Sequence, residues 1–116
     1  MIFTNGDEKW AKKILYALGI YDSVEKIFDI IKSDYIPKPQ KKAYSNMIEM
    51  CKVNPKECIF FEDTKINLLE AHNFGMVTIH IDEKFDYEKE FDLEHFVDFK
   101  FKSIEFALKT INKHLK

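Results

Sequence analysis

The chain has 116 residues, the size of one domain, with 18 Lys or Arg against 20 Asp or Glu and a formal net charge of −2. Hydrophobic residues at 46% and charged residues at 33%, with 11 Phe, supply a packed core and argue against a disordered chain. The near-neutral balance, with no basic block, argues against nucleic-acid binding, and no stretch approaches the ~18 apolar residues of a membrane span. The opening MIFTNGDEKW lacks the cationic, apolar and small-residue order of a signal peptide. A cytoplasmic protein is therefore expected, with Cys51 and Cys58 as reduced, partly buried thiols.

Met1-Ile2-Phe3 reads as a short strand, broken by Thr4-Asn5-Gly6-Asp7. A helix follows, with Trp10, Ile14, Leu15 and Leu18 on one face, Asp7 as its cap and Gly19 as its stop. Asp22 and Glu25 suit a capping box for one short turn. Ile27 to Ile31 reads as a second strand, although Ile27, Ile30 and Ile31 also fit a helical period. Pro37 and Pro39 force extended geometry before them, and Pro39 is placed to open the next helix. In that helix Ala43, Tyr44, Met47, Ile48 and Cys51 share a face. Cys58-Ile59-Phe60-Phe61 is an apolar strand, Asn67 to Phe74 a short helix closed by Gly75, and Met76 to Ile81 a β-branched strand. A charged connection runs from Asp82 to Glu94. Val97 to Phe101 reads as a last strand, and Ile104, Ala107, Leu108, Ile111 and Leu115 stripe a final helix. The alternation predicts an α/β fold, a three-layer sandwich with a mostly parallel sheet.

Three places carry chemistry. Glu62 and Asp63 directly follow a buried strand, where open α/β sheets place their sites. Adjacent carboxylates repel unless a cation or proton offsets them, so they read either as a magnesium pair or as a surface strand end whose Asp63 caps a helix. Thr4 and Asn5 sit between a strand and a helix N-terminus, a phosphate cradle or a simple turn. Lys38, stiffened between two prolines, is either a point charge held against phosphoryl oxygens or a solvated lysine. His72, His80, His95 and His114 show no compact metal-ligand spacing. Phe85, Tyr87, Phe91, Phe96, Phe99 and Phe101 read as packing residues.

Thr4-Asn5, Pro37-Lys38-Pro39 and Phe61-Glu62-Asp63-Thr64 with Asn67 occur in this order between the right elements. The arrangement resembles the haloacid dehalogenase (HAD) superfamily of phosphohydrolases, in its pyrimidine 5′-nucleotidase-like branch, over Ile2 to Ile81 and more weakly through the last helix. The resemblance implies a partial, HAD-like (Rossmannoid) hydrolase core over residues 1–116 with no cap domain. It implies that Thr4 binds phosphate with help from Asn5, that Lys38 offsets charge, and that Glu62 and Asp63 hold Mg2+ with Asn67 in support. Phosphate or a nucleoside monophosphate is the implied ligand.

The departures from the family pattern shape the expectation. No Asp-x-Asp follows an apolar strand anywhere in the chain, and Trp10 stands where the branch often has a histidine. In the family the nucleophile strand lies between those carrying the second and fourth motifs. The likeness is therefore expected to be that of a C-terminal part only, without the first motif or the cap, and inactive as a phosphatase alone. Two other roles fit the same residues: half of a split Mg-dependent phosphomonoesterase completed by another chain, or a non-enzymatic interaction or scaffold module, for example a homodimer.

Overall fold

Apolar pairs Ile2-Phe3 and Ile27-Phe28 set up the first parallel ladder of the computed structural model, which describes residues 1–86 and 94–115. The chain divides into two compact units, Met1–Val53 and Asn54–Lys116. Both show the expected α/β architecture, with parallel strands and interleaved helices.

In the first unit, β1 (Ile2–Phe3) pairs with β2 (Ile27–Phe28), Ile2 opposite Ile27 and Phe3 opposite Phe28. Between them runs α1 (Glu8–Ala17). As expected, Asp7 caps it: Trp10 N–H donates to Asp7 Oδ1 at 2.7 Å. Gly19 takes φ +71° just past its end. The buried face is only partly the expected one: Leu15 is inside, but the other three residues of that face are not. Ala11 and Leu15 are inside with Ile27, while Trp10, Ile14 and Leu18 are 61%, 44% and 65% exposed. Both stripes have helical spacing, and the small Ala11 lets the helix approach Ile27 more closely than Trp10 would. The expected Asp22–Glu25 capping box does not form; a 3₁₀ turn spans Tyr21–Ser23 with no side-chain cap.

The second strand stops at Phe28 rather than Ile31, because Asp29 turns the chain. Its carboxylate accepts from Lys32 N–H at 2.9 Å and from Glu8 N–H at 2.8 Å. Asp34 and Tyr35 then take left-handed φ values of 55° and 59°. After the lysine turn comes α2 (Lys41–Cys51), which buries Ala43, Tyr44, Met47 and Cys51 as expected. Its N-cap is Gln40, so Pro39 precedes the helix rather than opening it. Phe3 meets Tyr44 and Phe28 edge-to-face, at centroid distances of 5.4 and 5.5 Å, and both partners are fully buried.

In the second unit, Asn54 Oδ1 accepts from Lys56 N–H and starts a 3₁₀ turn at Pro55–Glu57. β3 (Ile59–Glu62), β4 (Val77–Ile81) and β5 (Phe99–Phe101) form a parallel sheet in the order β3-β4-β5. A 3₁₀ turn, Lys65–Asn67, leads into α3 (Leu68–Asn73), and α4 (Ile104–Leu115) follows β5. Leu68, Ala71, Met76, Ile79, Phe85, Val97 and Ala107 are buried. Thr78 and Asp98 lock the sheet margin: Thr78 N–H donates to Asp98 Oδ2 at 2.8 Å, and Asp98 N–H donates to Thr78 Oγ1 at 3.0 Å. The aromatic expectation holds for Phe85 but not for Phe99, which is 54% exposed. Tyr87 and Phe91 lie outside the described residues, as does the Leu115 side chain. The stripe expected on α4 holds at Ala107, which is buried, while Ile104 and Leu108 are half exposed. Among the described residues no helix is long and apolar enough to cross a membrane.

Candidate functional site

β1 delivers Thr4 to the mouth of a turn that is closed by its own side chain. Thr4 N–H donates to Phe28 O at 3.0 Å, and Thr4 Oγ1 accepts from Gly6 N–H at 3.0 Å. Asn5 reaches across to the lysine segment. Its Oδ1 accepts from Lys38 N–H at 2.8 Å, and its Nδ2 donates to Lys38 O at 3.1 Å. Lys38 Nζ in turn donates to Phe3 O at 2.8 Å and lies 4.8 Å from the Phe3 ring centroid. The structure thus brings Thr4, Asn5 and Lys38 together in the first unit. A half-buried ammonium beside a hydroxyl and the start of a helix suits an oxyanion.

Asp29 was not assigned a role by the motifs, yet at 3% exposure it ties the start of α1 to the segment after β2. Burial alone would raise its pKa. The Lys32 and Glu8 N–H groups and the Lys32 charge outweigh that, holding it below the usual carboxylate range. Lys32 Nζ is itself anchored on Ile27 O at 2.6 Å. The available signal was an acid directly after an apolar pair, a position that often collects backbone donors.

In the second unit, Glu62 ends β3 and is held on both oxygens: Asn67 Nδ2 donates to Oε1 at 2.7 Å, and Asp63 N–H donates to Oε2 at 3.0 Å. Asp63 is exposed, and its carbonyl accepts from His80 Nε2 at 3.2 Å. That contact makes Nε2 the protonated nitrogen and leaves Nδ1 buried without a hydrogen-bond partner. Glu62, Asp63 and Asn67 are thus brought together. Asp82 and Glu83, from beyond β4, line the same open depression as Glu62 and Asp63. The Lys84 N–H and the Lys100 ammonium, 3.6 Å away, hold the Asp82 pKa below the usual carboxylate range.

The fit to magnesium is partial. Carboxylate oxygens suit this hard cation in kind, but it prefers six ligands in octahedral array. Both Glu62 oxygens already accept hydrogen bonds, and the described residues hold no group of three His, Cys, Asp or Glu able to bind a metal.

Solved structures share this fold. A dehalogenase with an intermediate complex superimposes with a TM-score of 0.78 at 20% identity, covering 94% of this chain and 47% of that one. A HAD phosphatase from Thermococcus onnurineus gives 0.70 at 19% identity, covering 94% and 49%. L-2-haloacid dehalogenase from Xanthobacter autotrophicus, with chloropropionic acid covalently bound, gives 0.72 at 16%, covering 92% and 52%. The chain spans about half the length of these structures. No curated protein matches the sequence. The model of the haloacid dehalogenase-like hydrolases matches residues 1–75.

That match corrects the sequence reading. The family signal starts at residue 1 and occupies the N-terminal part of the chain. It ends before β4, short of the Ile81 boundary and the last helix. The expected C-terminal remnant, lacking the first motif and assigned to a nucleotidase-like branch, therefore gives way to the broad family. The lysine turn and the β1–α1 segment fall inside the match, as do Glu62, Asp63 and Asn67. The chain belongs to the haloacid dehalogenase-like hydrolases.

Proposed function

We propose that this chain serves phosphomonoester chemistry by holding a phosphoryl group at the Thr4–Lys38 turn. The observation that carries this reading is the Lys38 ammonium seated on Phe3 O, at the strand end that presents Thr4. Thr4 supplies a hydroxyl and Lys38 a positive charge against phosphoryl oxygens. Inorganic phosphate or a nucleoside monophosphate is the ligand class. Glu62 and Asp63 provide carboxylates for Mg2+, which would supply charge neutralisation when bound, and Asn67 orients Glu62. Further ligands must complete that set, so magnesium binding by the chain alone is weak.

In this reading residues 1–116 form a hydrolase core unit working in the cytoplasm, where Cys51 and Cys58 stay reduced. Since no Asp-x-Asp occurs in the sequence, the chain alone does not turn over phosphate esters. A phosphate titration followed by backbone amide shifts tests the reading. Shifts centred on Thr4 to Asp7 and Lys38, with at least about tenfold weaker binding in Lys38→Ala, are expected. Absence of phosphate affinity together with a stable homodimer would instead favour a scaffold role. Magnesium-dependent hydrolysis of a nucleoside monophosphate, lost in Lys38→Ala, would overturn the inactivity.

A further inference from the structure

Asn5 is exposed, yet both heavy atoms of its amide are spent on one peptide far away in sequence. Its oxygen accepts from Lys38 N–H at 2.8 Å, and its nitrogen donates to Lys38 O at 3.1 Å. Two bonds to the N–H and C=O of a single residue act as a strand neighbour would, fixing both the position and the rotation of that residue's backbone. The far end of the same lysine is fixed independently, by Nζ donating to Phe3 O at 2.8 Å. Residues 3, 5 and 38 therefore form a closed ring in which the ammonium and its backbone are both tied to the end of β1 and the residues just after it.

We infer that Asn5 is a positioning residue of this turn, clamping the Lys38 peptide rather than touching the anion itself. This reassigns the contribution of Asn5 within the phosphate reading, on which the anion-binding part rests. Only a side-chain amide of this length meets the demand. A carboxylate has no donor for Lys38 O, and a serine hydroxyl is too short to span N–H and C=O together. Precise placement of a charge by a supporting group that never meets the ligand is a common way for a site to gain affinity.

The test uses the full chain, as Asn5→Ala and Asn5→Asp. Asn5→Ala should speed hydrogen exchange at the Lys38 amide about tenfold and weaken phosphate binding about three- to tenfold. The Thr4 amide, bonded to Phe28 O, should keep its protection, which separates the effect from general loosening. Asn5→Asp retains the acceptor for Lys38 N–H and should keep that amide slow. Weaker phosphate binding in Asn5→Ala with unchanged Lys38 exchange would make Asn5 a direct ligand and overturn the inference. Unchanged exchange and unchanged binding would overturn it as well. If the unaltered chain binds no phosphate, the phosphate reading fails while the Lys38 exchange still decides the clamp.

Discussion

Lys38 is held by Asn5 and Phe3, 33 and 35 positions away, whereas Glu62 is held by Asp63 and Asn67, one and five positions away. The lysine turn exists only when the first unit is folded, because its partners meet once β1 has packed against β2 and α2. The acid turn closes on itself within one strand end and one helical turn. A ligand of the lysine turn must therefore stabilise the first unit by mass action, since the unfolded chain has nothing comparable to offer. A cation at the acid turn gains less from folding, because much of that geometry is local.

Removing Asp29 should break this contrast most severely, since its buried carboxylate ties the same unit together across the 21 positions to Glu8. Asp29→Ala leaves the Glu8 and Lys32 N–H groups without their acceptor and should cost about 3 kcal/mol in urea unfolding at pH 7. The pH dependence carries its own sign. Because the folded carboxyl is held below its usual value, its stabilisation is complete above the unfolded pKa of about 3.9 and drains away as the pH falls through the lower folded value. Asn at this position should flatten that acid-limb loss, as read from unfolding midpoints between neutral pH and acid. A smaller effect is expected from the local turn. Asn67→Ala removes the 2.7 Å donor to Glu62 Oε1 and should cost about 1 kcal/mol, measured in the same way. Equal penalties from Asp29→Ala and Asn67→Ala would erase the distinction between the two turns.

The order of strands, the Asp7 cap and the apolar face of α2 were all legible in the sequence, because each is written in contiguous spacing. The candidate residues were legible as types. Their partners were not, since Asn5 and Lys38, or Asp29 and Glu8, meet across separations that no local pattern encodes. The face of α1 is legible only at Leu15, for a related reason. Leu15 stands at helical spacing from both Leu18 and Ala11, and the position of Ile27 decides that its buried neighbour is Ala11. The strand expected through Ile31 failed because a side chain, Asp29, competed successfully for backbone donors. The family assignment survived at its broadest level, while the finer branch and the remnant reading leaned on motif order alone.

The exposed face of α1 has an optical consequence. The chain's single tryptophan, Trp10, is 61% exposed, so its indole is already surrounded by water in the native state. Its emission should shift little when the protein unfolds, and will report instead on the first turn of α1, where the Trp10 backbone N–H meets Asp7. The chromophore that senses the packed interior is Tyr44, fully buried edge-on to Phe3, so near-ultraviolet dichroism is the better spectroscopic window on the first unit's core.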